Sequence, residues 1–212
     1  YASVGEELMA FGLDVERATL TRQSSVMLPG FVQEAWASSR TPFLYVAWSN
    51  GGASDSVSGI EPRGDRHGIT AFRIEAEGGL HQQGPPAALR SRPIHLTGDG
   101  PGRHLLVAYN DPSGISVHAI NSDGTVGSEV PQPSSLDVGI YGHQVRVFPA
   151  NDAVVLVTRG NEPTSTTRED PGALKVYRYD DGKLANVASI APSNGIGFRS
   201  RHLDFHPTGP WV

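Results

Sequence analysis

Two short strand patterns recur in fixed order along the chain, and this repetition constrains the fold more than any other feature. In the first pattern, apolar residues alternate with other residues up to an acidic or amide residue and a turn; it occupies Ala10–Asp14, Ala71–Glu75, Val117–Asn121 and Val176–Asp180. In the second, a polar turn precedes a continuous apolar run; it occupies Phe43–Ala47, His104–Ala108 and Ala153–Val157. Alternation is typical of a half-buried strand, and a continuous apolar run of a strand buried on both faces.

The turns after the first pattern have hairpin chemistry. Asp123–Gly124 and Asp181–Gly182 each lie between alternating runs. Asp-Gly is a strong signal for a tight hairpin, because glycine adopts the positive φ that such turns require. The two patterns therefore predict antiparallel strands joined by short turns.

The spacing of the repeats indicates the architecture. The first pattern returns after 61, 46 and 59 residues, counted between Phe11, Phe72, His118 and Tyr177. Repeats of about 40–50 residues with four strands each are typical of β-propeller blades. The longer spacings predict insertions at Gly51–Gly68 and Asn161–Gly172. We predict an all-β propeller segment of about four blades in one domain, residues 1–212; a β-helix or a sandwich is the alternative.

Composition narrows the class of function. The chain has 17 Lys and Arg against 22 Asp and Glu, a formal net charge of −5, which argues against nucleic-acid binding, since phosphate binding needs a clustered basic surface. It contains no cysteine, so disulfides, thiolate zinc sites and a Cys nucleophile are excluded. No run of about 18 apolar residues is present, and none of the eight histidines forms a helical zinc-binding pair. We expect no membrane partner, no metal and no cofactor.

Several stretches resemble the seven-bladed propeller lactonases, a family that includes 6-phosphogluconolactonases and carboxymuconate cycloisomerases. The stretches are Arg92–Leu96, Leu106–Asn110, Gly139–Val145, Arg159–Asn161, Asp170–Leu174 and Arg201–Pro207. Because the family's chains are much longer, the resemblance implies the first four of seven blades, with the remaining blades supplied by further chain. It also implies a small anionic lactone or carboxylate as substrate, and we expect a cytoplasmic enzyme of carbohydrate metabolism.

The resemblance assigns some site residues. His143 matches the second histidine of a His-Ala-His-Ser-Val-type segment in the family, and Tyr141 stands in place of the first. Arg201–Pro207 matches the family's Arg-His-Leu-Ala-Phe-His-Pro segment. The family's acidic residue would fall beyond Val212, so we expect these 212 residues to hold only part of the site and to be inactive by themselves.

The phase of the repeats suggests the same residues. Leu96, Val147 and Phe205 are the last apolar residues before three turns, and counting back four residues from each gives Arg92, His143 and Arg201. Equivalent positions of a propeller form a ring about its central channel. A ring of cationic or titratable side chains at the channel mouth would attract an anionic substrate to an acidic protein.

These residue types suit lactone hydrolysis. An imidazole such as His143 can take a proton from water at neutral pH, and a guanidinium such as Arg201 can bind an oxyanion or a carboxylate with two hydrogen bonds. We assign His143 and Arg201 as catalytic candidates, and Arg92, Arg159 and His202 as substrate-binding candidates.

Other interpretations of these residues remain open at this point. The same residues suit cycloisomerisation of a muconate or a non-catalytic binding propeller. Each residue also has a structural interpretation, such as His143 or His202 in blade packing, or Arg159 capping the long insertion.

Overall fold

The computed structural model describes residues 1–51, 64–209 and 211–212. Within these ranges all regular elements are β-strands, apart from one 3₁₀ turn at Pro192–Gly195. Among the residues so described, no helix has the length and apolar character needed to span a bilayer.

The strands form four sheets built from antiparallel pairs of consecutive strands. The first sheet contains β1 (Ala2–Val4), β2 (Glu7–Asp14) and β3 (Thr19–Met27). The second contains β4 (Phe31–Ala37), β5 (Phe43–Ser49), β6 (His67–Ile74) and β7 (Leu80–Gln82), with β8 (Ala87–Ala88) paired to β6. The third contains β9 (Pro93–Gly98), β10 (His104–Asn110), β11 (Ser113–Ile120) and β12 (Val126–Glu129). The fourth contains β13 (Gly142–Val147), β14 (Ala153–Thr158), β15 (Ala173–Asp180) and β16 (Lys183–Ile190).

The prediction of an all-β propeller segment with about four repeats is confirmed. The first sequence pattern falls on β2, β6, β11 and β15, and the second falls on β5, β10 and β14. The predicted insertion Asn161–Gly172 is the loop between β14 and β15. Of the other predicted insertion, Gly51–Gly68, residues 52–63 lie outside the described residues.

The chain forms two compact units. The first comprises Tyr1–Pro93 and Asn121–Val126, and the second comprises Ile94–Ile120 and Gly127–Val212. In the first unit, Leu8, Leu44 and Phe72 belong to one buried apolar cluster. That residues 1–212 form one domain stays a prediction.

The core of the second unit is formed by the third and fourth sheets. Leu106, Val117, Val145 and Leu156 are fully buried and pack in one cluster with Tyr177. All seven residues of β10 are buried, which explains the continuous apolar run in the sequence of this strand. Five of the last six residues of β16 are exposed and the sixth is half-buried, so the outer strand of the fourth sheet is largely exposed.

One backbone hydrogen bond recurs at four turns and sets the register of the repeats. At each turn an amide N–H donates to the carbonyl oxygen five residues later: Ser38 to Phe43 at 2.9 Å, Asp99 to His104 at 3.0 Å, Phe148 to Ala153 at 2.9 Å and His206 to Trp211 at 3.0 Å. We call the four donors turn residues. Residues at the same distance before a turn residue therefore occupy equivalent positions.

This register corrects part of the sequence alignment. Leu96 lies three residues before its turn residue, whereas Val147 and Phe205 lie one residue before theirs. The equivalent of His143 and Arg201 is therefore Ile94, and Arg92 is equivalent to Tyr141. The alignment was wrong by two residues at β9 because this strand ends in Thr97 and Gly98 rather than in an apolar residue.

A buried polar network joins the third and fourth sheets. His104 Nδ1 lies 3.0 Å from Asp99 Oδ2, and the Tyr179 hydroxyl lies 3.0 Å from each of these two atoms. All three side chains are buried. Burial alone would raise the pKa of Asp99, but hydrogen bonds from the His104 side chain, the backbone of His104 and Arg103, and Tyr179 hold it below its usual range.

We expect Asp99→Asn to lower the free energy of unfolding at pH 7 by about 1–3 kcal/mol, because the buried hydrogen-bond network loses its charged acceptor. The native pKa of Asp99 is depressed, so its stabilisation is complete above pH ~4 and declines as the pH falls further. Urea denaturation between pH 3 and 7 measures this. Asp152→Asn, an exposed aspartate in the β13–β14 turn, is the matched control. A penalty for Asp99→Asn that stays constant down to pH 3 would contradict this account.

Candidate functional site

The start of β13 lies close against the end of β10. A Cβ at Gly142 would lie 2.7 Å from the carbonyl oxygen of Tyr109, so only glycine allows this approach. The Gly142 N–H donates to Ser113 Oγ at 2.9 Å, which fixes the strand there. The β13–β14 register shifts between Gly142 and Gln144, so His143 lies in a bulge. A bulge re-orients its side chain relative to a regular ladder.

Three histidines of the second unit form a cluster that we call the imidazole cluster (His95, His143 and His202). The rings of His143 and His202 pack edge to face, with centroids 4.9 Å apart and planes at 88°. His95 lies near enough for His143 and His202 to act on it electrostatically. His95 and His143 are half-buried and His202 is exposed, so the cluster faces solvent on one side.

Two contacts hold the segment that carries His202 along β13. The Leu203 N–H donates to Gln144 Oε1 at 2.6 Å. Arg146 Nη2 forms a 2.8 Å ion pair with Asp204 Oδ1. These contacts bring residues from two distant parts of the sequence together, and they pair the positive charge of Arg146 with a carboxylate.

His95 is held in its neutral form. Burial lowers the pKa of His95 to about 4, with smaller contributions from the charges of Arg146, His202 and His143. At neutral pH its imidazole therefore carries no charge. The same shift destabilises the fold in acid, because the unfolded chain binds a proton at higher pH than the native chain does.

Tyr141 and Arg159 form a second feature beside the imidazole cluster. Tyr141 adopts a φ of 58°, which is uncommon for a residue other than glycine. Its carbonyl accepts from the Arg159 N–H at 3.0 Å, and the Arg159 guanidinium lies 4.0 Å from the centre of its ring. Arg159 is buried and its Nη1 lies 3.6 Å from Glu162 Oε1. These contacts offset the strained backbone of Tyr141.

The structure brings some of the predicted site residues together. His143 and His202 are in contact, and Arg201 is an exposed neighbour of His202 in the sequence. Arg159 stacks on Tyr141, two residues before His143. Arg92 belongs to the first unit, where its charge and, more strongly, burial lower the pKa of His67. The catalytic and substrate-binding roles of all five residues stay predictions.

Sequence reasoning missed His95 and Arg146. The signal was present for His95, since it lies four residues before its turn residue, as do Gln144 and His202. The misaligned β9 hid this equivalence. Arg146 carried no signal of its own, because its place depends on the contact with Asp204, which is 58 residues away in the sequence.

Comparison with known proteins identifies the family. The family described as "Lactonase, 7-bladed beta-propeller" matches residues 1–212. The chain belongs to this lactonase family. The chain spans about half the length, or less, of the curated relatives that it matches.

The curated relatives include 6-phosphogluconolactonases. That of Pectobacterium atrosepticum is 28% identical over 197 residues, which cover 90% of this chain and 49% of the relative. That of Serratia proteamaculans is 29% identical over 140 residues, covering 66% of this chain and 38% of the relative.

Solved structures share the fold. The periplasmic gluconolactonase of Pseudomonas aeruginosa superposes with a TM-score of 0.56 at 18% identity, covering 81% of this chain and 46% of that protein. A putative 6-phosphogluconolactonase from Bacteroides fragilis superposes with a TM-score of 0.53 at 14% identity, covering 90% of this chain and 65% of that one.

We expect His95 of this lactonase-family chain to titrate near pH 4 in an NMR titration of the histidine side chains. Arg146→Met should raise the pKa of His95, because a nearby positive charge disfavours the imidazolium. The rise should be partial, since burial is the larger cause. Arg178→Met, which removes an exposed arginine on β15, should leave the titration unchanged. Titration of His95 near its ordinary value of about 6.5 would contradict this account of the cluster.

Proposed function

We propose that the imidazole cluster and Arg201 form part of a site that hydrolyses the lactone of a sugar acid. The observation that carries this proposal is the contact of His143 with His202, beside Arg201, in a chain of the lactonase family. We place the site at the mouth of the propeller channel. In support, β13 is an edge strand of its sheet, as expected of the strand nearest the channel.

In the proposed reaction, His143 accepts a proton from a water molecule whose oxygen attacks the carbonyl carbon of the lactone. The electron pair of the C=O bond moves to the oxygen, and Arg201 stabilises this oxyanion with charge-assisted hydrogen bonds. When the carbonyl re-forms, the ring C–O bond breaks, and the ring oxygen takes the proton from His143. The product is an open-chain hydroxy acid, which releases a proton to solvent.

The other candidate residues have supporting roles in this proposal. His202 would bind the anionic or polar groups of the substrate, and a substrate-binding role of Arg92 stays a prediction. Arg159 would bind substrate at the rim, next to the ring of Tyr141, which it holds in place. The proposed substrate is a small anionic lactone or carboxylate, the remaining blades would come from further chain, and a cytoplasmic location stays a prediction.

We expect His143→Ala and Arg201→Ala each to lower kcat/KM for glucono-1,5-lactone hydrolysis by roughly 10²–10⁴-fold, the range typical of a lost general base or oxyanion donor. The measurement is the rate of acid release by the complete protein that carries this chain. His81→Ala and Arg178→Ala are matched controls, since both residues are exposed and lie outside the cluster. Circular dichroism verifies that each variant is folded.

The outcomes separate three functions. Unchanged rates in both variants would overturn the catalytic assignment. An absence of turnover with any lactone or muconate would indicate a binding propeller. Cyclisation of a muconate without hydrolysis of any sugar lactone would instead assign the site to a cycloisomerase.

A further inference from the structure

Tyr141 has a backbone conformation that is unusual for its residue type. Its φ of 58° lies in the left-handed region, where the Cβ atom crowds the following carbonyl oxygen. Tyr141 is buried, unlike the other residues besides glycine for which the structure describes a positive φ. Strain of this kind persists where the surroundings hold a residue in place, and it is concentrated at functional sites. We therefore asked which neighbouring residue the conformation of Tyr141 serves.

Arg159 holds Tyr141 through both its backbone and its side chain. The Arg159 N–H donates to the Tyr141 carbonyl at 3.0 Å. The next N–H along the chain, that of Gly160, donates to the Ile140 carbonyl at 3.0 Å. The Arg159 guanidinium lies 4.0 Å from the centre of the Tyr141 ring, and both residues are buried, which strengthens the attraction between a cation and a ring face. The ring therefore offsets a strain that glycine at this position would avoid.

His143, two residues after Tyr141, is the extra residue of the bulge in β13. The β13–β14 ladder pairs Gly142 with Thr158. The next pair in the ladder is Gln144 with Val157. Because a bulge re-orients its extra residue, the direction of the His143 imidazole depends on the backbone on either side of it.

The backbone on both sides of the bulge is fixed by contacts. After the bulge, Gln144 Oε1 accepts from the Leu203 N–H at 2.6 Å. Before it, the Gly142 N–H donates to Ser113 Oγ at 2.9 Å. The left-handed conformation of Tyr141 sets the direction in which the chain enters this closely packed glycine. Tyr141 is thus the last residue with a large side chain that acts on the bulge from the preceding segment.

We propose that Tyr141 is a positioning residue for His143, and that Arg159 acts on His143 through the ring of Tyr141. The turn at Tyr141 directs the bulge so that the imidazole of His143 meets that of His202 edge to face, with centroids 4.9 Å apart. Neither Tyr141 nor Arg159 has to touch the reacting atoms for this effect. That the imidazole so placed is the base of a lactone hydrolysis rests on the proposed function, whereas its placement does not.

The contact between the two imidazole rings reports the position of His143 without any turnover. In the complete protein with isotope-labelled histidine, we expect a nuclear Overhauser effect between ring protons of His143 and His202. Tyr141→Gly tolerates the positive φ but removes the ring, so it should abolish this effect. Tyr141→Phe keeps the ring over the guanidinium and should retain the effect.

Two further variants control this measurement. Asn151→Gly is the matched control, because Asn151 also has a positive φ, of 61°, and lies in the turn at the other end of β13. It should leave the effect between His143 and His202 unchanged. Arg159→Met leaves Tyr141 in place and should weaken the effect, so it supplies the test if Tyr141→Gly does not fold. The inference is overturned if the effect persists at full strength in Tyr141→Gly or, where that variant does not fold, in Arg159→Met.

Kinetics test whether Tyr141 and Arg159 act as a unit. We expect Tyr141→Gly and Arg159→Met each to lower kcat for glucono-1,5-lactone by roughly tenfold to a hundredfold, as a misplaced catalytic group does. Tyr141→Gly should leave KM within about twofold of its original value, since the ring does not bind the substrate in this account. The double variant should lose no more than the larger single loss, because both changes disrupt the same placement. A double loss equal to the product of the single losses would overturn the inference that Arg159 acts through Tyr141.

The two measurements keep this inference distinct from the proposed function. Loss of the imidazole contact in Tyr141→Gly, with an unchanged rate of lactone hydrolysis, would overturn the role of His143 as the base and leave the positioning standing. Hydrolysis that depends on His143, in a protein whose Tyr141→Gly variant keeps both the contact and the rate, would overturn the positioning and leave the proposed function standing.

Discussion

The backbone hydrogen bond that recurs at four turns, from the N–H of the turn residue to the carbonyl five residues later, is the constraint on which the rest of the structure depends. Residues at the same distance before a turn residue are therefore equivalent from one repeat to the next. A shift of one residue would exchange the two faces of a strand. The register therefore decides that His95 and His202 take equivalent positions, and that His143 precedes that position in its own repeat.

The electrostatics of the site follow from this placement. His95 is half-buried and neutral at pH 7, and the charge of Arg146 is paired with Asp204. The cationic group that is exposed beside the imidazole cluster is Arg201. An acidic chain thus presents a local arrangement that suits a developing negative charge.

The fold could be predicted from the sequence because the burial of a strand determines the pattern of apolar residues along it. The buried run of β10 and the alternation of β15 are local patterns that hydrophobicity alone dictates. The site was only partly accessible, since His143 and His202 stand in recognisable motifs but their contact requires the segment after Arg201 to lie along β13. The equivalence of His95 to His202 was missed because β9 does not end in an apolar residue. Its register is fixed instead by the backbone hydrogen bond from Asp99 to His104.

The central claim is that one register brings the imidazole pair of His143 and His202 to the same substrate. A crystal structure of the complete protein with D-gluconate, the product of the proposed reaction, tests it most directly. The account predicts a carboxylate oxygen about 3 Å from a ring nitrogen of His143. Gluconate bound away from His143 would contradict it.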